Sequence, residues 1–537
     1  MLAYLGRTQD EAGTAPAARR VVAYAAYEAT VARVAQKIKA EVLVPLFGNR
    51  AGIPAELGVF MLQFLSAKDL GNLAQVSTEL KEVVDHVCEE QLRCVLALDG
   101  ESEIQSLPIA AHFLERPRGF GVPSVTRLLH ILCNSRQETY ATTLTCGEGH
   151  TCVIQGNGST LFTFGDGNSG QLGSGERERS VLPVRLSAPF GETFVGVACG
   201  AEHTSALTSS GRILTCGANL AGQLGRLTEN NEPSATLAQL DLCDARFVQV
   251  VAGRFYTAAI TTDGRVAIFG TGLDCELVAD TCLLVAGDID ADERIVQLAA
   301  GAGHLLLLSN QNRLFALGDG TDGKLGLEAN LAGGAAARND FEREQSLHAS
   351  STAPRLVAMP ESALSEDIVH IAAGGRHSGF IAASGALYMW GSCRHGELGI
   401  GRFQRAIFQP TKVRLPASNP FALAMSCGTA HTAVLTTGGR VVTFGNGSHN
   451  QDGKQNSFWA TNAPHEICPG EMADLKPELV HVVCGGRHSA ALDVRGRLFT
   501  FGDPLCCGRP LRLAMAGPHF MPRQVNLIPE VHRHNSV

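Results

Sequence analysis

Apolar positions recur at two different periods along this chain. Between residues 53 and 93 the spacing is helical. Ile53-Pro54-Ala55-Glu56-Leu57 opens a first helix, with Pro54 tolerated in the first turn, and Leu57, Met61, Phe64 and Leu65 share a face. Ser66-Ala67-Lys68-Asp69 has the form of a capped start for a second helix bearing Leu70, Leu73 and Val76. Ser77 can cap a third, with Leu80, Val83, Val84 and Val87 on one side. From about residue 139 the apolar positions instead fall in short runs, each closed by glycine. The clearest are Gly211 to Gly217, Gly264 to Gly270, Gly385 to Gly391, Gly439 to Gly445 and Gly496 to Gly502, completed by Leu161 to Gly165 and Leu314 to Gly318. Short apolar runs between glycine turns predict β-strands.

These strands belong to a repeat. Seven times a Cys or Ala precedes a Gly, two variable residues and a His or, once, a Tyr. The glycines are Gly147, Gly200, Gly253, Gly301, Gly374, Gly428 and Gly485. The matching last positions are His150, His203, Tyr256, His304, His377, His431 and His488. The intervals between glycines are 53, 53, 48, 73, 54 and 57 residues. Four units carry a further Gly-x-Leu-Gly phrase, at Gly170–Gly173, Gly222–Gly225, Gly323–Gly326 and Gly396–Gly399. The third unit has lost it around Cys275, and the sixth keeps only Asn450 to Gly453. Each unit returns through a Pro-led apolar segment such as Pro183-Val184 or Pro410 to Val413. A fixed period near fifty, with several strands per unit, predicts an array of blades.

The three linked phrases resemble the regulator-of-chromosome-condensation repeat family over about residues 139–530. The resemblance implies a mainly β fold, a seven-bladed propeller. A Pro-led segment at Pro522 to Leu527 follows the last unit. It is expected to complete the first blade and so remove an open edge. The long fourth interval places a surface loop at 327–352, rich in Ala, Gly and mixed charge.

The helical stretch resembles an F-box, carried by Pro54, Glu56-Leu57, Phe64-Leu65, Asp69-Leu70 and Val76-Ser77 at that family's spacing. Gly58 stands where the family has Leu, and Leu80 replaces its usual aromatic. The resemblance implies a Skp-type adaptor bound through Pro54, Leu57, Met61, Leu62, Phe64, Leu65 and Leu70, and through it a cullin ubiquitin ligase. The propeller face would then recruit a protein target that the sequence does not identify. The expected organisation is an Ala-rich, partly helical segment over 1–52, the F-box-like domain over 53–93, a connection over 94–138, the propeller over 139–530 and a loose tail over 531–537.

Composition narrows the function further. Formal net charge is −8, which argues against bulk binding to nucleic acid. Met1 to Gly13 has no apolar core of signal-peptide length, and no apolar run reaches the roughly eighteen residues of a membrane span. Sixteen cysteines are present, yet Cys146, Cys199, Cys427 and Cys484 occupy one repeat position, and Cys506-Cys507 has no metal-binding spacing. The expectation is a reduced protein of the cytoplasm or nucleus, with no metal or cofactor.

A His that recurs once per unit is a poor candidate for unique chemistry. The repeat histidines are expected to be structural, each forming a hydrogen bond within its blade. No nucleophile elbow, phosphate loop or His-Glu-x-x-His occurs, so no catalytic residue is assigned. Arg376 and Arg487, each just before a repeat His, could face an acidic partner. The name-giving regulator's alternative, guanine-nucleotide exchange on a Ran-like GTPase, lacks a recognisable wedge insertion here. Trp390 and Trp459 are too few for the tryptophan cluster of a plant-type ultraviolet-B photoreceptor.

Overall fold

The computed structural model describes residues 143–155, 158–240, 245–273, 275, 282–284, 287–327, 350–364, 366–417, 421–436, 439–453, 460–467, 479–493, 496–508 and 523–525. The F-box-like stretch with its seven adaptor residues, the segments 1–52 and 94–138, and most of the 327–352 insertion lie outside these residues.

Each unit folds as an antiparallel meander in chain order. The first contains β1 (Leu144–Cys146), β2 (His150–Gln155), β3 (Thr160–Gly165) and β4 (Ser180–Ser187). The second contains β5 (Phe194–Cys199), β6 (His203–Thr208), β7 (Ile213–Gly217) and β8 (Ser234–Gln239). The third has three strands, β9 (Phe247–Ala252), β10 (Tyr256–Thr261) and β11 (Val266–Gly270). Among the described residues, Cys282 and Leu284 add backbone bonds to its outer edge.

The fourth unit has β12 (Ile295–Ala300), β13 (His304–Ser309), β14 (Leu314–Gly318) and β15 (Ser351–Leu356). The fifth has β16 (Ile368–Ala373), β17 (His377–Ala382), β18 (Leu387–Cys393) and β19 (Gln404–Val413). The sixth has β20 (Ala422–Cys427), β21 (His431–Thr436), β22 (Val441–Gly445) and β23 (Thr461–Glu466). The seventh has β24 (Leu479–Cys484), β25 (His488–Asp493), β26 (Leu498–Gly502) and β27 (Arg523–Val525). The seven sheets form the blades of a propeller.

The sequence pattern explains the strand boundaries. The Cys or Ala of the first phrase ends each inner strand, and the His or Tyr begins the second. Those second strands are buried at nearly every position, and the outer strands alternate between half-buried and exposed. Glycine closes the third strand because the chain there has a positive φ, 110° at Gly217, and runs tight against the preceding hairpin. A Cβ on Gly217 would lie 2.3 Å from the Glu202 carbonyl oxygen. Apolar side chains fill the seams between blades. Trp390, Phe380 and Tyr388 anchor one such core with Leu306 and Ile371.

One expectation is corrected. The C-terminal strand does not complete the first blade. β27 pairs with β26, matching Leu498 to Val525, and so finishes the seventh. The first blade already owns its Pro-led strand, because Pro183 and Val184 lie in β4. The ring therefore closes without an exchanged strand. Its seam is held by Leu144, Val153 and Phe164 packing with Val483, Leu492 and Leu498. The Gly486 amide also donates to the Gly147 carbonyl at 3.0 Å, and the Gln155 side-chain amide to the Gly496 carbonyl at 2.7 Å.

Candidate interaction face and the bridges beneath it

The repeat histidines are fully buried, and the structure assigns each a partner. That partner is not in the same blade, which corrects the expectation of a bond within each blade. His150 Nε2 lies 2.9 Å from Thr204 Oγ1 in the next blade, and the Thr204 hydroxyl donates back to the Gln171 carbonyl at 2.7 Å. The same clamp recurs around the ring. His203 meets Thr257, His304 meets Ser378, His377 meets Thr432 and His431 meets Ser489. His488 closes the circle on Thr151 at 2.8 Å.

In every case the hydroxyl donates to a carbonyl in the turn after the third strand: Gln223, Lys324, Glu397, Gln451 and Cys506 take the part of Gln171. A hydroxyl has one proton. Since it is donated to the carbonyl, the imidazole must donate from Nε2, which fixes the tautomer. All three sequence phrases thus converge on one device. A blade's His and its glycine turn grip a hydroxyl offered by the next blade.

The exception follows the same logic. The residue after the phrase is Thr151, Thr204, Thr257, Leu305, Ser378, Thr432 and Ser489 in the seven units. Only Leu305 lacks a hydroxyl, and it lies opposite the one unit with Tyr256. The longer tyrosine bypasses it, its hydroxyl lying 2.6 Å from the His304 carbonyl and 3.1 Å from that of Gly301. The pairing of Tyr256 with Leu305, offset by one unit, was a legible signal that the partner is the neighbouring blade.

Burial suppresses protonation of these rings, because a charge inside the ring has no water to solvate it. It holds His150 and His431 down to about 3, and His203, His377 and His488 down to about 4. His304 is lowered well below its ordinary value, with the Lys324 charge adding to burial. These are neutral structural donors at physiological pH. Replacing His203 or His431 by Ala should lower unfolding free energy by about 1–3 kcal/mol, the cost of a buried group left unpaired. Tyr256→His alone should destabilise, and adding Leu305→Thr should recover part of the loss by rebuilding the clamp. Urea melts of the two single variants and the double would show this as a non-additive coupling. Additive losses would contradict the assignment.

The inner strands surround a central channel of about 270 Å³, lined in part by Gln249, Gln297, Met425, His370 and His481. Its polar groups also tie blades together. Gln249 grips the Leu298 backbone at both N–H (2.8 Å) and C=O (3.2 Å), and His370 Nε2 lies 2.8 Å from the Met425 carbonyl. His150, Cys152 and Cys199 bring their ligand-type atoms within 4.8 Å of one another, a grouping sequence spacing did not reveal. There His150 Nε2 already carries the proton shared with Thr204, and burial pushes the Cys199 thiol up. Trp390 is buried, and its indole N–H donates to the Lys324 carbonyl at 2.9 Å, a packing role.

One accessible surface is the end of the propeller bearing the Gly-x-x-His loops and the turns after the third strands. Glu148, Glu202, Arg254, Arg376 and Arg487 are exposed there. Arg254 reaches Glu148 at 3.4 Å and lies over the ring of Phe255, itself 42% exposed. Arg376 and Arg394 both hold the buried carboxylate of Asp322, at 3.4 and 3.1 Å.

Comparison with known proteins agrees with this architecture. The RCC1-like domain family matches residues 160–508. The chain is 31% identical over 369 residues to the ultraviolet-B receptor UVR8 of Arabidopsis thaliana, covering 67% of this chain and 76% of the receptor. It is 31% identical over 349 residues to the probable E3 ubiquitin-protein ligase HERC4 of Homo sapiens. That match covers 64% of this chain and 30% of the ligase, so the shared part is the propeller. The crystal structure of Prp20p from Saccharomyces cerevisiae superposes with a TM-score of 0.56 at 19% identity, over 74% of this chain and 89% of that one.

Proposed function

We propose that this chain, which belongs to the RCC1-like domain family, is a non-catalytic interaction protein that recruits a target to a ubiquitin ligase. The observation that carries the reading is the use of the recurrent polar residues. Every repeat His, its hydroxyl partner and the receiving carbonyl are committed to holding blades together. The connections after the third strands differ in length between units, from 394–403 in the fifth to 319–350 in the fourth, the arrangement of a rigid scaffold that presents a binding face. The relative HERC4, a probable ubiquitin ligase by name, shares this propeller.

Residues 53–93 supply the other half of the proposal. Their resemblance to an F-box implies docking to a Skp-type adaptor and thereby to a cullin ligase, in the cytoplasm or nucleus. Leu57, Phe64, Leu65 and Leu70 are many large apolar groups for the three short helices that the sequence pattern predicts. A partner surface would remove them from water at about 25 cal/mol per Å². Interface energy concentrates in a few anchors, so a Leu57→Ala/Leu65→Ala double variant should lose roughly thirtyfold or more in affinity.

The test is co-purification of the full chain with the adaptor, beside that double variant. Loss of the complex in the variant is the expected result. No complex with the native chain, where a standard F-box protein forms one, would reduce the reading to a propeller scaffold with a vestigial F-box. Accelerated nucleotide release from a Ran-like GTPase would instead favour the exchange-factor reading.

A further inference from the structure

On the reading of the propeller as a target-binding module, we infer that the loop face of the fifth blade is the target site and that it accepts an acidic protein segment. The chain is acidic as a whole, yet this face gathers Arg376, Arg394, Arg402 and Arg405, all exposed, with the imidazole of His395 among them. Arg376 precedes β17, Arg394 and Arg402 lie in the turn between β18 and β19, and Arg405 is the second residue of β19, so all lie at the same end of one blade.

Two of the arginines are pre-positioned. The Asp322 side chain is 5% exposed and accepts from Arg376 through Oδ2 and from Arg394 through Oδ1. One buried carboxylate thus anchors two guanidiniums side by side, and their side chains remain 62% and 47% exposed. A guanidinium carries five N–H donors in a rigid fork, so each keeps donors directed to solvent. Holding two such forks before binding removes part of the ordering cost of capturing carboxylates.

The acid in the fifth blade's own turn is also committed inward. Glu397 is buried and accepts from the Ser392 hydroxyl at 2.7 Å and the His395 backbone N–H at 2.6 Å. Its carboxylate lies 3.9 Å from His395 Nδ1. On the same turn Phe403 stands 53% exposed, an apolar anchor beside the charges.

The opposite arc of the same end has the reverse character. The first two blades expose Glu148, Glu176, Glu178, Glu202, Glu229 and Glu232 against Arg177 and Arg179, so acids outnumber bases there. Such a field orients an acidic segment toward the fifth blade and away from the first two. It also disfavours a long polyanion such as nucleic acid, which would have to cross the acidic arc. A short run of Asp or Glu with an apolar residue for Phe403 fits the patch.

The experiment is fluorescence anisotropy of the full chain with a fluorescein-labelled, Glu-rich peptide of about twelve residues carrying one central Leu. Arg376→Ala/Arg394→Ala should weaken binding about tenfold, corresponding to about 1.4 kcal/mol. Arg402→Ala/Arg405→Ala leaves Asp322 paired and should also weaken it severalfold, which guards against a folding effect in the first pair. Glu178→Ala on the opposite arc should leave it unchanged, and salt near 1 M should abolish it by screening. Unchanged binding in both arginine pairs would overturn the inference. So would an absence of binding at about 1 mM, or tighter binding of a single-stranded oligonucleotide of equal charge. Adaptor capture is read in a separate assay, so loss of this site and loss of the ligase role are distinguishable.

Discussion

The propeller is expected to unfold in mild acid, between about pH 6 and 5, well above the range in which most carboxylates titrate. Six buried imidazoles are neutral in the folded ring. Those with assigned values are held down to about 3 or 4. In the unfolded chain each recovers an ordinary value near 6.5. As pH falls through 6.5 the unfolded chain therefore takes up protons that the folded ring refuses. Stability is complete above that pH and is lost progressively down to the folded values.

One imidazole loses about 2 kcal/mol by pH 5, and His150, His203, His377, His431 and His488 together about 10 kcal/mol, comparable with the whole stability of a typical domain. The steepest slope approaches about 8 kcal/mol per pH unit, the uptake of six protons. Urea midpoints measured from about pH 7.5 to 4.5 check this. His203→Gln should remove about one sixth of the proton uptake. A midpoint that stays flat to pH 4.5 would mean that the rings are solvated or already charged, and the bridge assignment would fall.

Much of this architecture was legible because each unit states the same constraints again. The strand ends at Gly217, Gly270 and Gly502 follow from a backbone conformation open mainly to glycine, and the inner strands end where a small Cys or Ala precedes the ring glycine. The direction of the polar contacts was not legible. Periodicity marks equivalent residues but does not say whether equivalents meet within a unit or between units. His150 could have faced its own sheet. It faces Thr204 because the sequence offers a hydroxyl in the following unit, and only Tyr256 opposite Leu305 betrays that offset.

The closing strand was misplaced for a related reason. Counting from the Gly-x-x-His phrase makes Pro522 to Leu527 look like a surplus. The meander runs outward from the inner strand, so each Pro-led segment belongs to the unit before it. The basic cluster of the fifth blade was only half visible. Arg376 stood out beside its His, but Arg394 and the buried carboxylate of Asp322 come together only in the fold. The helical faces expected for 53–93 rest on periodicity alone and lie outside the described residues, and a face does not name what covers it.

Closure without an exchanged strand makes the inner ring of glycines the most sensitive feature of the molecule. A Cβ on Gly485 would lie 2.5 Å from the Gly147 carbonyl oxygen and 2.6 Å from His488 Cε1. At Gly200 it would lie 2.2 Å from His203 Cε1 and 2.5 Å from the Gly253 carbonyl. Neither neighbour can yield. The carbonyl belongs to the adjoining blade, and the imidazole is held by its hydroxyl clamp. A methyl group at either position must therefore push two blades apart. At Gly485 it acts on the seam between the last and first blades, which no described strand crosses.

Gly485→Ala and Gly200→Ala should each cost more than about 4 kcal/mol, the range reached when a packed interface is forced open. The control is Gly401→Ala. Gly401 has φ +80°, with nothing within 4 Å of its would-be Cβ, so only backbone strain of about 1–2 kcal/mol applies. Thermal melts of the three purified variants, with soluble yield as a second reading, should separate them widely. If Gly485→Ala melts within a few degrees of Gly401→Ala, the seam is looser than these contacts require, and the glycine ring does not govern closure.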